Sequence, residues 1–102
     1  MPGQARIDAH RKFAQQFGKN LFRARKEAGI SQEELGFQTD LHRTEIGMLE
    51  RGIRIPRLDT VLKLACTLGI SIDELAEGMR WRAAVRTGGW FSASDEDGGT
   101  SA

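Results

Sequence analysis

Arg43, Thr44, Gly47 and Met48 stand in the stretch "LHRTEIGMLERG", residues 41–52. If Ile46 and Leu49 face inward on a helix here, those four fall outward or at its edge. Such a helix could lie in the major groove of a DNA duplex with its N-terminal residues at the base edges. That chemistry is recognition, with no bond made or broken. Nothing else in the chain suggests turnover: there is no nucleophile–base–acid constellation and no Gly-rich phosphate loop. The two histidines, His10 and His42, are far apart, and Cys66 is the lone cysteine, so no metal-site spacing exists. Neither an enzyme, a metal nor a cofactor is expected.

A reading helix needs a frame. From about residue 9 to 28, Phe13, Phe17, Leu21, Ala24 and Ala28 recur at helical steps, and Gly29 ends that helix. Ser31 and Glu34 form a capping box that opens a second helix to about Thr39. A turn at Asp40-Leu41 leads into a third helix, 43–51, stopped by Gly52. After Pro56 a fourth helix over about 57–68 carries Leu58, Val61, Leu62, Ala65 and Leu68 on one face and stops at Gly69. Cys66 lies beside that face and reads as a packed, inert thiol. Ser71 and Glu74 form a second capping box for a fifth helix to about Gly78. Beyond it Met79, Trp81, Ala83 and Val85 alternate with Arg80, Arg82 and Arg86, the period of a strand, with 87–89 a candidate turn before Trp90 and Phe91. A continuing helix is the competing reading. The predicted fold is therefore all-α, a compact five-helix domain with a short C-terminal β arm or hairpin. The expected organisation is a flexible arm at 1–8, the helical domain at 9–78, an extension at 79–91 suited to packing or dimerisation, and a disordered acidic tail at 92–102.

Two short helices with a tight turn inside a five-helix domain resemble the lambda-repressor-like helix-turn-helix family of Cro/repressor type, also called XRE. The resemblance covers about residues 18–76 and rests on "LFRARKEAGISQEEL", "LHRTEIGMLERG" and "PRLDTVLKLACTLGISIDEL". Gly36 supplies the small residue at which two helices cross closely. Asp40 stands where the family usually has Gly, at a position that wants positive φ, which Asp tolerates. The resemblance implies that Arg43, Thr44 and Met48 read bases, with Arg43 bidentate to guanine and Thr44 or Met48 against a thymine methyl. It also makes Gln32 a phosphate contact, beside the amides around Ser31 at a helix N-terminus. Gly47, by close approach, and Arg54 and Arg57 are further phosphate candidates. Arg25 and Glu50 match a salt bridge that ties the first helix to the third. Glu45 could accept from a cytosine amino group, but a local role completing the cap that starts at His42 is the favoured reading. Phe37 has no evident role.

With 102 residues the chain has room for one small domain and a tail, and a core of that size favours dimerisation. The formal net charge of +1 conceals an asymmetry, because Asp95, Glu96 and Asp97 gather in the tail and leave the body basic. The apolar runs are too short to span a bilayer. The expected protein is a cytoplasmic, DNA-binding transcriptional regulator, a homodimer on double-stranded DNA with a pseudo-palindromic operator. A helix-turn-helix antitoxin, or an interaction module that has lost operator binding, is the alternative.

Overall fold

The structure, a computed structural model, describes residues 2–86 and 88–93. Five helices precede a hairpin: α1 Pro2–Ala28, α2 Gln32–Thr39, α3 Arg43–Glu50, α4 Leu58–Leu68, α5 Ile72–Leu75, then β1 Met79–Arg82 and β2 Trp90–Ala93. Among the described residues no helix is long and apolar enough to cross a membrane.

Local signals explain most boundaries. Gly29, Gly52 and Gly69 each adopt positive φ where a helix stops. At Ser71 the capping box is complete, the hydroxyl accepting from the Glu74 amide while the Glu74 carboxylate accepts from the Ser71 amide. At Ser31 half of it forms, the hydroxyl accepting from the Glu34 amide at 3.0 Å. The long first helix differs from expectation: it begins at Pro2 rather than near residue 9. Proline suits a first helical position because its fixed φ is helical and its missing N–H would have had no partner there. The fifth helix is a single turn, Ile72–Leu75, and not a run to Gly78.

Phe17, Leu21, Leu35, Ile46, Leu49, Leu64, Ala65 and Leu75 form the core, with Phe13, Ile30, Leu41, Val61, Leu68 and Ile70 packed against it. On α4 the buried residues are Thr60, Leu64 and Ala65, while Leu58 is 78% exposed and Leu62 is also exposed. The buried face is therefore rotated from the predicted one. Cys66 is exposed rather than packed. Ala28, expected on the inner face of α1, is exposed as well, at the last position of that helix.

Asn20 is buried in the middle of α1 and is tied to the end of α5. Its amide donates to the Leu75 carbonyl at 2.9 Å and the Glu77 carbonyl at 2.8 Å, and its oxygen accepts from Gln16 Nε2 at 3.0 Å. The Leu75 carbonyl ends a one-turn helix and the Glu77 carbonyl lies in the turn after it, so neither has a next helical turn to bond. Replacing Asn20 with Ala should lower unfolding free energy by about 2 kcal/mol or more, since a buried acceptor loses its donor. Urea denaturation followed by circular dichroism measures this, and an unchanged midpoint would refute it.

The alternating segment is an antiparallel hairpin, pairing Met79 with Ala93, Arg80 with Ser92, Trp81 with Phe91 and Arg82 with Trp90. Cross-strand partners share a face, and on one face Phe91 sits 5.0 Å from the Phe13 ring of α1 and 5.1 Å from Trp81. The aromatic cluster thus packs the hairpin onto α1. Residues 92 and 93, assigned to the tail by sequence, complete β2; residues 94–102 of that tail lie outside the described residues.

Candidate nucleic-acid interface

The pair α2–α3 is built by a tight turn. Asp40 takes φ 60°, ψ 37° as the C-cap of α2, and its amide donates back to the carbonyls of Gly36 and Phe37. A Cβ on Gly36 would fall 2.5 Å from the Leu41 carbonyl oxygen, so the turn can fold this tightly over a residue without a side chain. Thr39, polar yet buried, donates its hydroxyl to the Leu35 carbonyl at 2.7 Å and so carries no unmet bond into the core.

Helix α3 is capped by His42, whose Nδ1 accepts from the Thr44 amide at 3.0 Å. The cap is made by the imidazole alone. Among the described residues the Glu45 side chain makes no hydrogen bond, which overturns its expected part in the cap. Ile46 and Leu49 are fully buried beneath the helix. Opposite them Arg43 and Thr44 are exposed and Met48 is half-buried.

Gly47 departs from expectation. It is buried, because the Arg51 and Gln32 side chains lie over it: its absent Cβ would be 3.2 Å from Arg51 Nη1 and 3.6 Å from Gln32 Oε1. Arg51 was not among the expected site residues. The signal for it was its place one turn after a glycine, where a long side chain can fold back across the gap.

Glu50 fastens the unit. Arg25 Nε donates to Glu50 Oε2 at 2.6 Å and Nη2 to Oε1 at 3.1 Å, while Nη1 donates to the Ile30 carbonyl at 2.9 Å. The two side chains are only 10% and 6% exposed. Gln32 Nε2 adds a third donor to Glu50 at 2.9 Å. One carboxylate thus joins α1, α2 and α3 in a bidentate, charge-assisted contact.

The expected phosphate contacts are not all neighbours. Ser31, Gln32 and Arg43 line one open groove of about 520 Å³, with Arg25 and Lys26 on its wall. Arg43 is 3.9 Å from Glu33, an exposed pair that gives little energy and leaves the guanidinium available to another acceptor. Arg54 is exposed on the connection after α3 and lines a different groove. Arg57, the N-cap of α4, lies 3.2 Å from Asp59 and borders neither. Chemically the surface offers a guanidinium, a hydroxyl and the amides of an eight-residue helix N-terminus to an acceptor-rich, anionic partner. Among the described residues no cluster of His, Cys, Asp or Glu could hold a metal ion.

Residues 21–75 match the model of a protein family, HTH_3, described as helix-turn-helix. Control protein C.BamHI of Bacillus amyloliquefaciens is 39% identical over 62 residues, which are 60% of this chain and 76% of that protein. The crystal structure of the restriction-modification controller protein C.AhdI from Aeromonas hydrophila superposes with a TM-score of 0.62 at 41% identity, covering 65% of this chain and 96% of that one. The P22 c2 repressor protein, solved in complex with a synthetic operator, aligns with a TM-score of 0.58 at 29% identity, over 61% of this chain and 94% of the repressor.

Proposed function

The chain belongs to the HTH_3 family of helix-turn-helix proteins, and from that premise we propose that it is a sequence-specific DNA-binding transcriptional regulator. It acts as a homodimer on a pseudo-palindromic operator, with α3 in the major groove. The observation that carries this reading is the exposed face of Arg43 and Thr44, with Met48 at its edge, over a support of Ile46, Leu49 and the Arg25–Glu50 bridge. Arg43 reaches guanine, Thr44 and Met48 meet thymine methyl groups, and Gln32 with the amides around Ser31 holds a phosphate. Arg54 and Arg57 add charge along the backbone. A dimer would set two α3 helices about 34–36 Å apart, one turn of the duplex.

Among regulators, a restriction–modification controller is the favoured type, because relatives at 39% and 41% identity are both control proteins. The protein is no enzyme, and it works in the cytoplasm, where bacterial DNA is accessible. Selecting bound duplexes from a random pool tests the proposal: a two-fold symmetric preferred site is expected, whereas an interaction module without operator binding would enrich none. Arg43→Ala should weaken binding to that site by about 1–3 kcal/mol and relax preference at one base position per half-site. Fluorescence anisotropy on single-base variants of the site measures it, and a uniform loss across them would count against base reading by Arg43.

A further inference from the structure

A groove of about 380 Å³ runs between α1 and the connection that follows α3. Arg11, Arg51 and Arg54 all line it, and among the described residues no carboxylate does. Gly52 brings them together. It has φ +75°, and a Cβ on it would lie 2.9 Å from the Gln15 Cα, so the connection can press this close to α1 only with glycine there. Arg23, Arg25, Arg43 and Arg57 each have a carboxylate within 4 Å. Among the described residues the guanidiniums of Arg11, Arg51 and Arg54 have neither an ion pair nor a hydrogen bond. Three like charges around one concavity repel one another, and an anion placed between them turns that repulsion into attraction.

We propose that Arg11, Arg51 and Arg54 form a second anion site that holds phosphates of the DNA backbone outside the base pairs read by α3. The proposal rests on the DNA-binding reading above and extends its footprint onto the N-terminal half of α1. Arg51 identifies the occupant. Besides lining this groove, its side chain lies with that of Gln32 over Gly47 of α3, so the groove adjoins the face that carries Ser31, Gln32 and α3. One strand of a duplex lying on that face passes from Gln32 across Arg51 to Arg11 and Arg54. A free phosphate or polyphosphate shares the chemistry but gives no reason for that adjacency.

Arg11→Gln is the test, because Arg11 is exposed and lies outside the base-reading face. On the selected duplex, the slope of log affinity against log salt should fall by about 0.9, the release from one phosphate. That is about threefold less affinity lost between about 50 and 200 mM salt. Base preference should not move, Arg11→Lys should restore the slope, and trimming the duplex flanks should bring wild type and variant to the same slope. An unchanged slope in Arg11→Gln would overturn the proposal, as would a changed preference at one base pair. Inorganic tripolyphosphate raising the melting temperature of wild type but not of Arg11→Gln, with no difference in DNA slope, would assign the groove to a free anion and also overturn it. If wild type enriches no site from the random pool, the DNA reading fails and takes this one with it. That outcome appears before any variant is compared.

Discussion

Arg25→Ala is expected to cost about 3–5 kcal/mol of folding free energy, because it leaves a carboxylate in the interior without its counter-charge. Glu50 is 6% exposed, and of its three donors only Gln32 Nε2 would remain. The Ile30 carbonyl would also lose the Arg25 donor that accompanies the turn between α1 and α2. For a domain whose total stability lies in the usual range of about 5–15 kcal/mol, that is a large part of the whole. Chemical denaturation monitored by circular dichroism gives the number. The double variant Arg25→Ala/Glu50→Ala should lose less than the sum of the two single changes, since neither buried charge is then stranded. Additive losses would mean that the two side chains act separately. Arg25 borders the groove of Ser31, Gln32 and Arg43, but its guanidinium is committed to Glu50 and the Ile30 carbonyl, so the folded fraction of Arg25→Ala should keep its site preference.

Gly18→Ala should be comparably severe for a steric reason. A Cβ at Gly18 would lie 2.5 Å from the carbonyl oxygens of both Leu49 and Glu50. These atoms are backbone at the end of α3, so no rotamer change relieves the overlap. Helices α1 and α3 must move apart, which opens the core at Phe17 and Leu21 and stretches the Arg25–Glu50 contact. Overpacking of this kind costs about 1–3 kcal/mol and sometimes more. A fall in melting temperature of about 10 °C or more is the expected result for a domain this small. Gly29→Ala is the control: nothing lies within 4 Å of its Cβ position, and its loss is limited to the strain of φ +74°. Equal effects at the two glycines would show that the crossing of α1 and α3 is not tight.

Features encoded within a few consecutive residues could be read from the chain. Ser71 with Glu74, glycine at 29, 52 and 69, and Asp40 at the turn all act on their immediate neighbours, so their roles follow from residue type and spacing. The family resemblance had the same source, because the turn and the caps are local. What escaped was non-local. On α4, Leu58, Val61, Leu62, Leu64, Ala65 and Leu68 cover more than one stripe, and periodicity alone does not choose which of them meets α2 and α5. Asn20 reads as a solvent residue until the ends of α5 and its following turn arrive above it. A helical wheel places Gly47 near the surface, but the wheel has no side chains from Gln32 or Arg51 to cover it. Arg11 stands 40 residues from Arg51 in the chain, and no pattern in either segment names the other. Glu45 was assigned to the cap because of its spacing from His42, yet an imidazole nitrogen sufficed.

The clamping of α3 has an evolutionary consequence. The helix is fixed against α1 at Gly18 and joined to both α1 and α2 through Glu50, so folding asks little of the outward residues at 43, 44 and 48. In the proposed reading they form an exchangeable cassette. Grafting the corresponding residues of another regulator onto this scaffold would transfer the donor's target while the melting curve stayed the host's. A lineage built on such a frame can drift from one target to the next by single substitutions, without passing through an unfolded ancestor.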